Sequence, residues 1–248
     1  MIACHHAGVT KVKICGITTA DDARAAAELG AWAIGLVFAP ESPRACDAAV
    51  AEQIGAELRR EVELAGVFCN ATLDAGEQIG LEMHRRLELA GVFVNASLDE
   101  VAEAADRCQL TILQLHGDEG PAYCREAARR TGAKVMKAVR VRDGAQLKDL
   151  ERFHTDYHLL DAYSPSTPGG TGETFDWELA QRHPRTPPVV LSGGLNSDNV
   201  GEAVEVARPF AVDVASGTEA EPGRKDPAKL TAFMQAVQAA DERLGAVA

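Results

Sequence analysis

Nine short apolar runs, each followed by a segment of helical or turn character, leave few architectures open to this chain. They are VKIC (12–15), AIGLVF (33–38), LAGVF (64–68), LAGVFV (89–94), TILQL (111–115), KVMKAV (134–139), YHLLDA (157–162), PVVLS (188–192) and AVDVA (211–215). Amphipathic stretches lie between them, among them Ala20–Leu29, Cys46–Arg60, Leu98–Arg107 and Ala122–Arg130. Strands that are apolar almost throughout must be covered on both faces, which is the pattern of a parallel sheet under crossover helices. A chain of 248 residues closes such a sheet as one domain, and no long Pro/Gly/Ser tract divides it. The expected fold is α/β, a (β/α)8 TIM barrel.

Nine runs are one too many for that barrel, and the excess has a visible origin. Residues 52–74, EQIGAELRREVELAGVFCNATLD, recur at 77–99 as EQIGLEMHRRLELAGVFVNASLD, with 16 of 23 positions identical. The direct reading is a tandem duplication of one helix–strand unit; a solenoid would need the period to continue, and it does not. A ninth strand would disturb tilt and shear around the whole cylinder. One copy is therefore expected outside the eight strands. The second copy is favoured as strand three, because it runs directly into Leu98–Arg107 and the strand after it. The domain reading is a single barrel over 1–248, with residues 1–10 as an N-terminal extension.

A net charge of −12 argues against a general nucleic-acid or anionic-membrane surface. With no long uncharged apolar stretch and no signal-peptide core, a cytoplasmic protein is expected. Six cysteines without a CxxC pair do not make a disulfide scaffold. Adjacent residues such as Cys4-His5-His6 seldom converge on one tetrahedral ion, and no HExxH-type spacing occurs, so no metal is expected.

Chemistry in such a barrel belongs at the C-terminal ends of the strands. Three glycine-containing turns sit there: PGGTG (168–172), SGG (192–194) and ASG (215–217). Exposed backbone N–H groups in turns of this kind hold a phosphate without a basic side chain. Gly170, Thr171, Gly172, Gly193, Gly194, Ser216 and Gly217 are the candidate phosphate ligands, and a phosphorylated small metabolite is the expected partner. Cys15 ends the first strand; it is either a buried small hydrophobe or, as a thiolate, a base. Asp161 follows two leucines at the end of the sixth, as a loop cap or as a general acid kept protonated by limited solvation. Arg44 is either a solvated surface arginine or a fork for a planar carboxylate. His116, in QLHG (114–117), is a backbone-bonded imidazole or a donor to substrate, with Gln114 as structural support. Asp213 is read as structural, orienting the phosphate loops.

The segments KICGIT (13–18), GLVFAPESPR (35–44), LQLHGDE (113–119), LLDA (159–162), PGGTGETFDW (168–177), LSGGLNSDNV (191–200) and VDVASGTE (212–219) together resemble the phosphoribosylanthranilate isomerases of tryptophan biosynthesis. The resemblance runs in order from about Val12 to Leu230, interrupted only by the duplicated unit. It implies a cofactor-independent Amadori rearrangement of N-(5-phosphoribosyl)anthranilate to 1-(2-carboxyphenylamino)-1-deoxyribulose 5-phosphate. By the same resemblance Cys15 is the general base, Asp161 the general acid, and Arg44 the partner of the anthranilate carboxylate. Relatives in this family are monomers or homodimers. The chain departs from the pattern at Glu173, where many relatives carry lysine. Alternatives are a phosphate-binding barrel without turnover, and a bifunctional isomerase of the histidine and tryptophan pathways. The bifunctional reading calls for an aspartate where Cys15 stands. A Schiff-base aldolase would need a lysine at a strand end, and Lys137 lies within its strand.

Overall fold

The computed structural model describes residues 9–63, 87–162, 177–184 and 186–245. In chain order the barrel elements are β1 (Lys11–Cys15), α1 (Ala20–Glu28), β2 (Ala33–Val37), α2 (Ala48–Glu63), β3 (Glu88–Phe93), α3 (Leu98–Arg107), β4 (Ile112–Leu115), α4 (Pro121–Thr131), β5 (Lys134–Val141), α5 (Gly144–Leu150), β6 (Tyr157–Ala162), α6 (Glu178–Gln181), β7 (Val189–Leu191), α7 (Val200–Ala207) and β8 (Ala211–Val214). A 3-10 turn (Ser216–Thr218), the hairpin of β9 (Glu219–Glu221) and β10 (Arg224–Lys225), and α8 (Pro227–Arg243) complete it. The strands close in sequence order, β1 to β8, and all eight ladders are parallel.

Strand three comes from the second copy of the duplicated unit. Its residues Ala90 and Gly91 align with Gly35 and Leu36 of β2 on one side and with Ile112 and Leu113 of β4 on the other. The helical start of the first copy falls in α2, and the rest of that copy, including LAGVF (64–68), lies outside the described residues. The N-terminal extension up to residue 8, the PGGTG turn and Glu173 lie outside them as well.

Alternation along each strand sorts side chains into two populations. Val12, Ile14, Ile34, Leu36, Leu89, Phe93, Leu113 and Leu191 point outward and fill the layer between strands and helices. Ala33, Ala90, Ile112, Met136, Leu159, Val190 and Ala211 point inward and fill the lower barrel. Trp32, Tyr157 and Phe210 close its N-terminal end, with ring centroids 5.3–5.5 Å apart. The packed floor leaves the opposite end for a site.

Local signals set the helix starts. Thr19 caps α1 by accepting from the Asp22 amide at 3.2 Å. Ser97 with Glu100, and Asp143 with Gln146, form reciprocal capping boxes on α3 and α5. Among the described residues no helix is long and apolar enough to cross a membrane.

Candidate active site

The inward parity of Val37 and Val92 continues upward to Cys15, which clusters with them one layer above the apolar floor. On β6 the same parity, through Tyr157 and Leu159, turns Asp161 inward at the opposite wall. The closed strand order then makes a simple arrangement. Proceeding from β6 through β7 and β8 to β1, the acid strand and the base strand are separated only by the two strands that carry the glycine turns.

Those two turns touch. A Cβ built on Gly217 would lie 2.0 Å from the Leu195 carbonyl, so the turn after β8 is seated directly on the turn after β7. Gly193 and Gly194 both have positive φ, 95° and 65°, a conformation that suits glycine and turns successive N–H groups to one side. No acceptor among the described residues takes either N–H. Gly193, Gly194, Ser216 and Gly217 are thus brought together, whereas Gly170, Thr171 and Gly172 lie outside the described residues.

Asp161 is buried and paired. Its Oδ2 lies 3.2 Å from His116 Nε2, and His116 Nδ1 lies 3.0 Å from Gln114 Nε2. The Gln114 amide donates to Nδ1, so Nε2 carries the ring proton and donates to the carboxylate. Among the described residues the His116 ring is thus held between Gln114 and Asp161. Lys137 points away from the barrel interior. Its Nζ donates to the Gly117 carbonyl (2.6 Å) and to Glu119 (2.9 Å), and Glu119 accepts from the Asn95 and Gly117 amides. This buried network braces the loop that carries His116.

Two of the candidate residues are held in ion pairs with partners distant in sequence. Arg44 is largely buried, and one edge of its guanidinium is engaged: Nε and Nη2 donate to the two oxygens of Glu219 at 2.7 and 2.8 Å. The hairpin after β8 folds back over the first loops, which brings two residues distant in sequence together. Asp213 is likewise paired. It accepts from Lys13 at 2.8 Å and only reaches Ser192 Oγ at 3.5 Å, because Lys13 and Asp213 are Cα partners on adjacent strands with the same inward parity.

Lys13, Glu219 and Lys225 were absent from the sequence-based site. A lysine two residues before Cys15, inside a barrel strand, was the available signal for the first. Lys225 Nζ donates to the carbonyls of Cys15 (2.7 Å) and Ala215 (3.0 Å), tying the ends of β1 and β8 together. Burial pushes the Lys225 pKa below its ordinary value, against the pull of Glu219. Burial also pushes the Cys15 thiol up, with Lys13 pulling it down and Asp213 opposing that pull. Among the described residues no three His, Cys, Asp or Glu side chains converge as a metal site.

A family model described as N-(5′-phosphoribosyl)anthranilate isomerase matches residues 77–236, so the match opens at the start of the second copy. A protein of that name from Citrifermentans bemidjiense is 46% identical over 222 residues, covering 90% of this chain and 94% of its own length. Another, from Geobacter metallireducens, is 41% identical and is covered completely, over 93% of this chain. The crystal structure of the phosphoribosyl anthranilate isomerase of Thermotoga maritima superposes with a TM-score of 0.74 at 36% identity, covering 93% of this chain and 99% of that one. A structure of such an isomerase in complex with reduced 1-(o-carboxyphenylamino)-1-deoxyribulose 5-phosphate superposes with a TM-score of 0.70 at 34% identity, with the same coverage.

Proposed function

The chain belongs to the N-(5′-phosphoribosyl)anthranilate isomerase family, and on that premise we propose that it isomerises N-(5-phosphoribosyl)anthranilate to 1-(2-carboxyphenylamino)-1-deoxyribulose 5-phosphate, with Asp161 as general acid and Cys15 as general base. The observation that carries this reading is the arc β6–β7–β8–β1. A phosphate held by the turns after β7 and β8 sets the attached ribose between an acid on one flank and a base on the other. Holding a substrate in reach of both groups supplies much of what this reaction needs.

Ring opening begins with a proton from Asp161 to the furanose oxygen, while the anilino nitrogen pushes its electron pair toward C1′. The C1′–O bond breaks and an iminium cation forms. The Cys15 thiolate then takes the C2′ proton; the C–H electron pair becomes the C1′=C2′ bond and the nitrogen is neutralised. The resulting enolamine tautomerises to the ketone. Substrate nitrogen acts as the electron source, so one acid, one base and orientation account for the steps.

The Gln114–His116 pair suits both protonation states of the acid. With the Gln114 NH2 on Nδ1, His116 donates to ionised Asp161. Turning that amide over sets its Oε1, a buried atom with no partner among the described residues, against an Nδ1–H. Nε2 then accepts from protonated Asp161. Arg44 would meet the anthranilate carboxylate with the guanidinium N–H groups that Glu219 leaves open.

The test is the decay of substrate fluorescence on adding purified protein, with Cys15→Ala and Asp161→Asn alongside. Turnover in the parent is expected, with roughly 10²–10⁴-fold lower kcat in each folded variant. A folded parent that binds a substrate analogue without turnover overturns the reading in favour of a binding barrel.

A further inference from the structure

Lys13 is the largest fully buried side chain among the described residues, and a buried ammonium has to be accounted for. An isolated charge in such a place is expensive, so it must be paired. Asp213 supplies the pairing at 2.8 Å, with both side chains almost out of contact with solvent. A plain structural ion pair would need nothing more. The surroundings indicate a second partner.

The inward position of β2 opposite this pair is Gly35. A Cβ built there would lie 2.6 Å from Cys15 Sγ and 2.9 Å from Lys13 Nζ. The volume that any other residue would fill is where the thiol and the ammonium approach each other. Lys13 and Cys15 are also two residues apart on one strand, so both point to the barrel axis, the lysine one layer below the cysteine. The ammonium therefore stands close to the sulfur, out of contact with solvent.

We propose that Lys13 is the positioning cation that stabilises the Cys15 thiolate, and that Asp213 sets how strongly it does so. The inference rests on the reading of Cys15 as the base. Lys13 itself does not reach the open end of the barrel and transfers no proton. Its charge favours the thiolate before proton abstraction, and Asp213 keeps that bias from making the thiolate too weak a base, since a base works best with a pKa near the operating pH.

Among the described residues, charged groups face Cys15 from several elements. Lys13 lies on its own strand and Asp213 on β8. Lys225 on β10 donates to its carbonyl, and Arg44, held by Glu219, comes from the loop after β2. Burial works to lower the Lys13 pKa, but Asp213 and Cys15 outweigh it, so the ammonium keeps its charge.

The test reads Cys15 alkylation by iodoacetamide against pH, peptide by peptide in a mass spectrometer, beside the pH profile of kcat. Lys13→Met is expected to move both acid limbs upward by about one pH unit or more, which is about tenfold lower kcat at neutral pH, narrowing as pH rises. Asp213→Asn is expected to move both limbs downward. Opposite shifts from the two halves of one ion pair are something a merely structural pair does not produce. An unshifted alkylation limb in folded Lys13→Met, or shifts of the same sign, overturns the proposal. If Lys13→Met does not fold, Asp213→Asn, which leaves the ammonium beside the sulfur, decides in its place: a downward shift of the alkylation limb supports the proposal, and an unshifted limb overturns it. Should the alkylation limb move while the kcat limb stays, the thiolate is not the base, and it is that reading that fails.

Discussion

Glu219 grips Arg44 through two parallel bonds, Nε to Oε1 at 2.7 Å and Nη2 to Oε2 at 2.8 Å, across 175 residues of sequence. The same carboxylate accepts from Lys225 at 3.3 Å. Burial alone would raise its pKa, but Arg44 and Lys225 outweigh it and hold it below the ordinary range. The guanidinium is thereby oriented before any ligand arrives, with its remaining N–H groups on the side away from Glu219.

Glu219→Gln should separate orientation from chemistry. The amide keeps one acceptor but loses the fork and the charge, so Arg44 is released to solvent. KM is expected to rise about tenfold, the effect of about 1.4 kcal/mol, with kcat changed far less. Steady-state kinetics decides: equal losses in kcat and kcat/KM would place Glu219 in the chemical step instead. Glu219→Ala should also cost about 3 kcal/mol of stability, because it strands two buried cations.

Gly35→Ala is a test of the space beside the base. The added methyl would meet Cys15 Sγ, Lys13 Nζ and the Cys15 backbone at 2.6, 2.9 and 3.1 Å. Something must shift, at a cost of about 1–3 kcal/mol in stability. Turnover should fall by an order of magnitude or more while the barrel persists by circular dichroism. Unimpaired kcat would show that the sulfur and ammonium have room to rearrange.

His158 and His183 give the fold an acid-sensitive point at the other end of the barrel. His158 Nδ1 lies 2.8 Å from His183 Nε2. Burial, and then His183, push the His158 pKa down from 6.5 to about 4. The folded pKa lies below the unfolded one, so the stabilisation is whole above pH 6.5 and is lost as pH falls through about 4. It amounts to on the order of 3 kcal/mol. Urea titrations at about pH 7 and about pH 4.5 should show the loss, and His158→Phe should flatten it. An equal pH dependence in that variant would assign the acid sensitivity to other groups.

Removing one copy of the repeat should leave the barrel intact. In the variant lacking residues 52–76, Ile79, Gly80 and Met83 take the α2 positions of Ile54, Gly55 and Leu58. The glycine matters there, because a Cβ on Gly55 would lie 2.5 Å from the Cys108 carbonyl. Leu-to-Met is nearly volume-conserving, and shortening the α2–β3 connection favours folding by about 1–2 kcal/mol. Thermal unfolding and kcat/KM should match or slightly exceed the parent. A molten or inactive product would mean that the first copy is needed for the fold.

The fold was legible because one periodicity, apolar strands alternating with amphipathic helices, has few closed solutions. Cys15, Asp161, His116 and the glycine turns after β7 and β8 are legible as candidates because they stand at strand ends, where a barrel collects its chemistry. Arg44 is legible as a strand-end cation, but nothing near SPR (42–44) in sequence announces Glu219. Lys13 is illegible for a related reason: a lysine inside an apolar strand looks like an exception until the strand beside it supplies Asp213.

By itself the sequence determined the strand count, the duplication and the residue types available at each strand end, because these follow from local pattern and alternation. The tertiary structure decided which copy forms β3, and which charges meet: Lys13 with Asp213, Arg44 with Glu219, Lys225 with the carbonyls of Cys15 and Ala215. Apart from the Lys225–Ala215 bond, each of these pairings joins the first strands or loops to the last. Closure of the barrel, in which β1 must lie against β8, is the step that brings the two ends of the chain into contact, and no local pattern encodes which side chains then stand face to face.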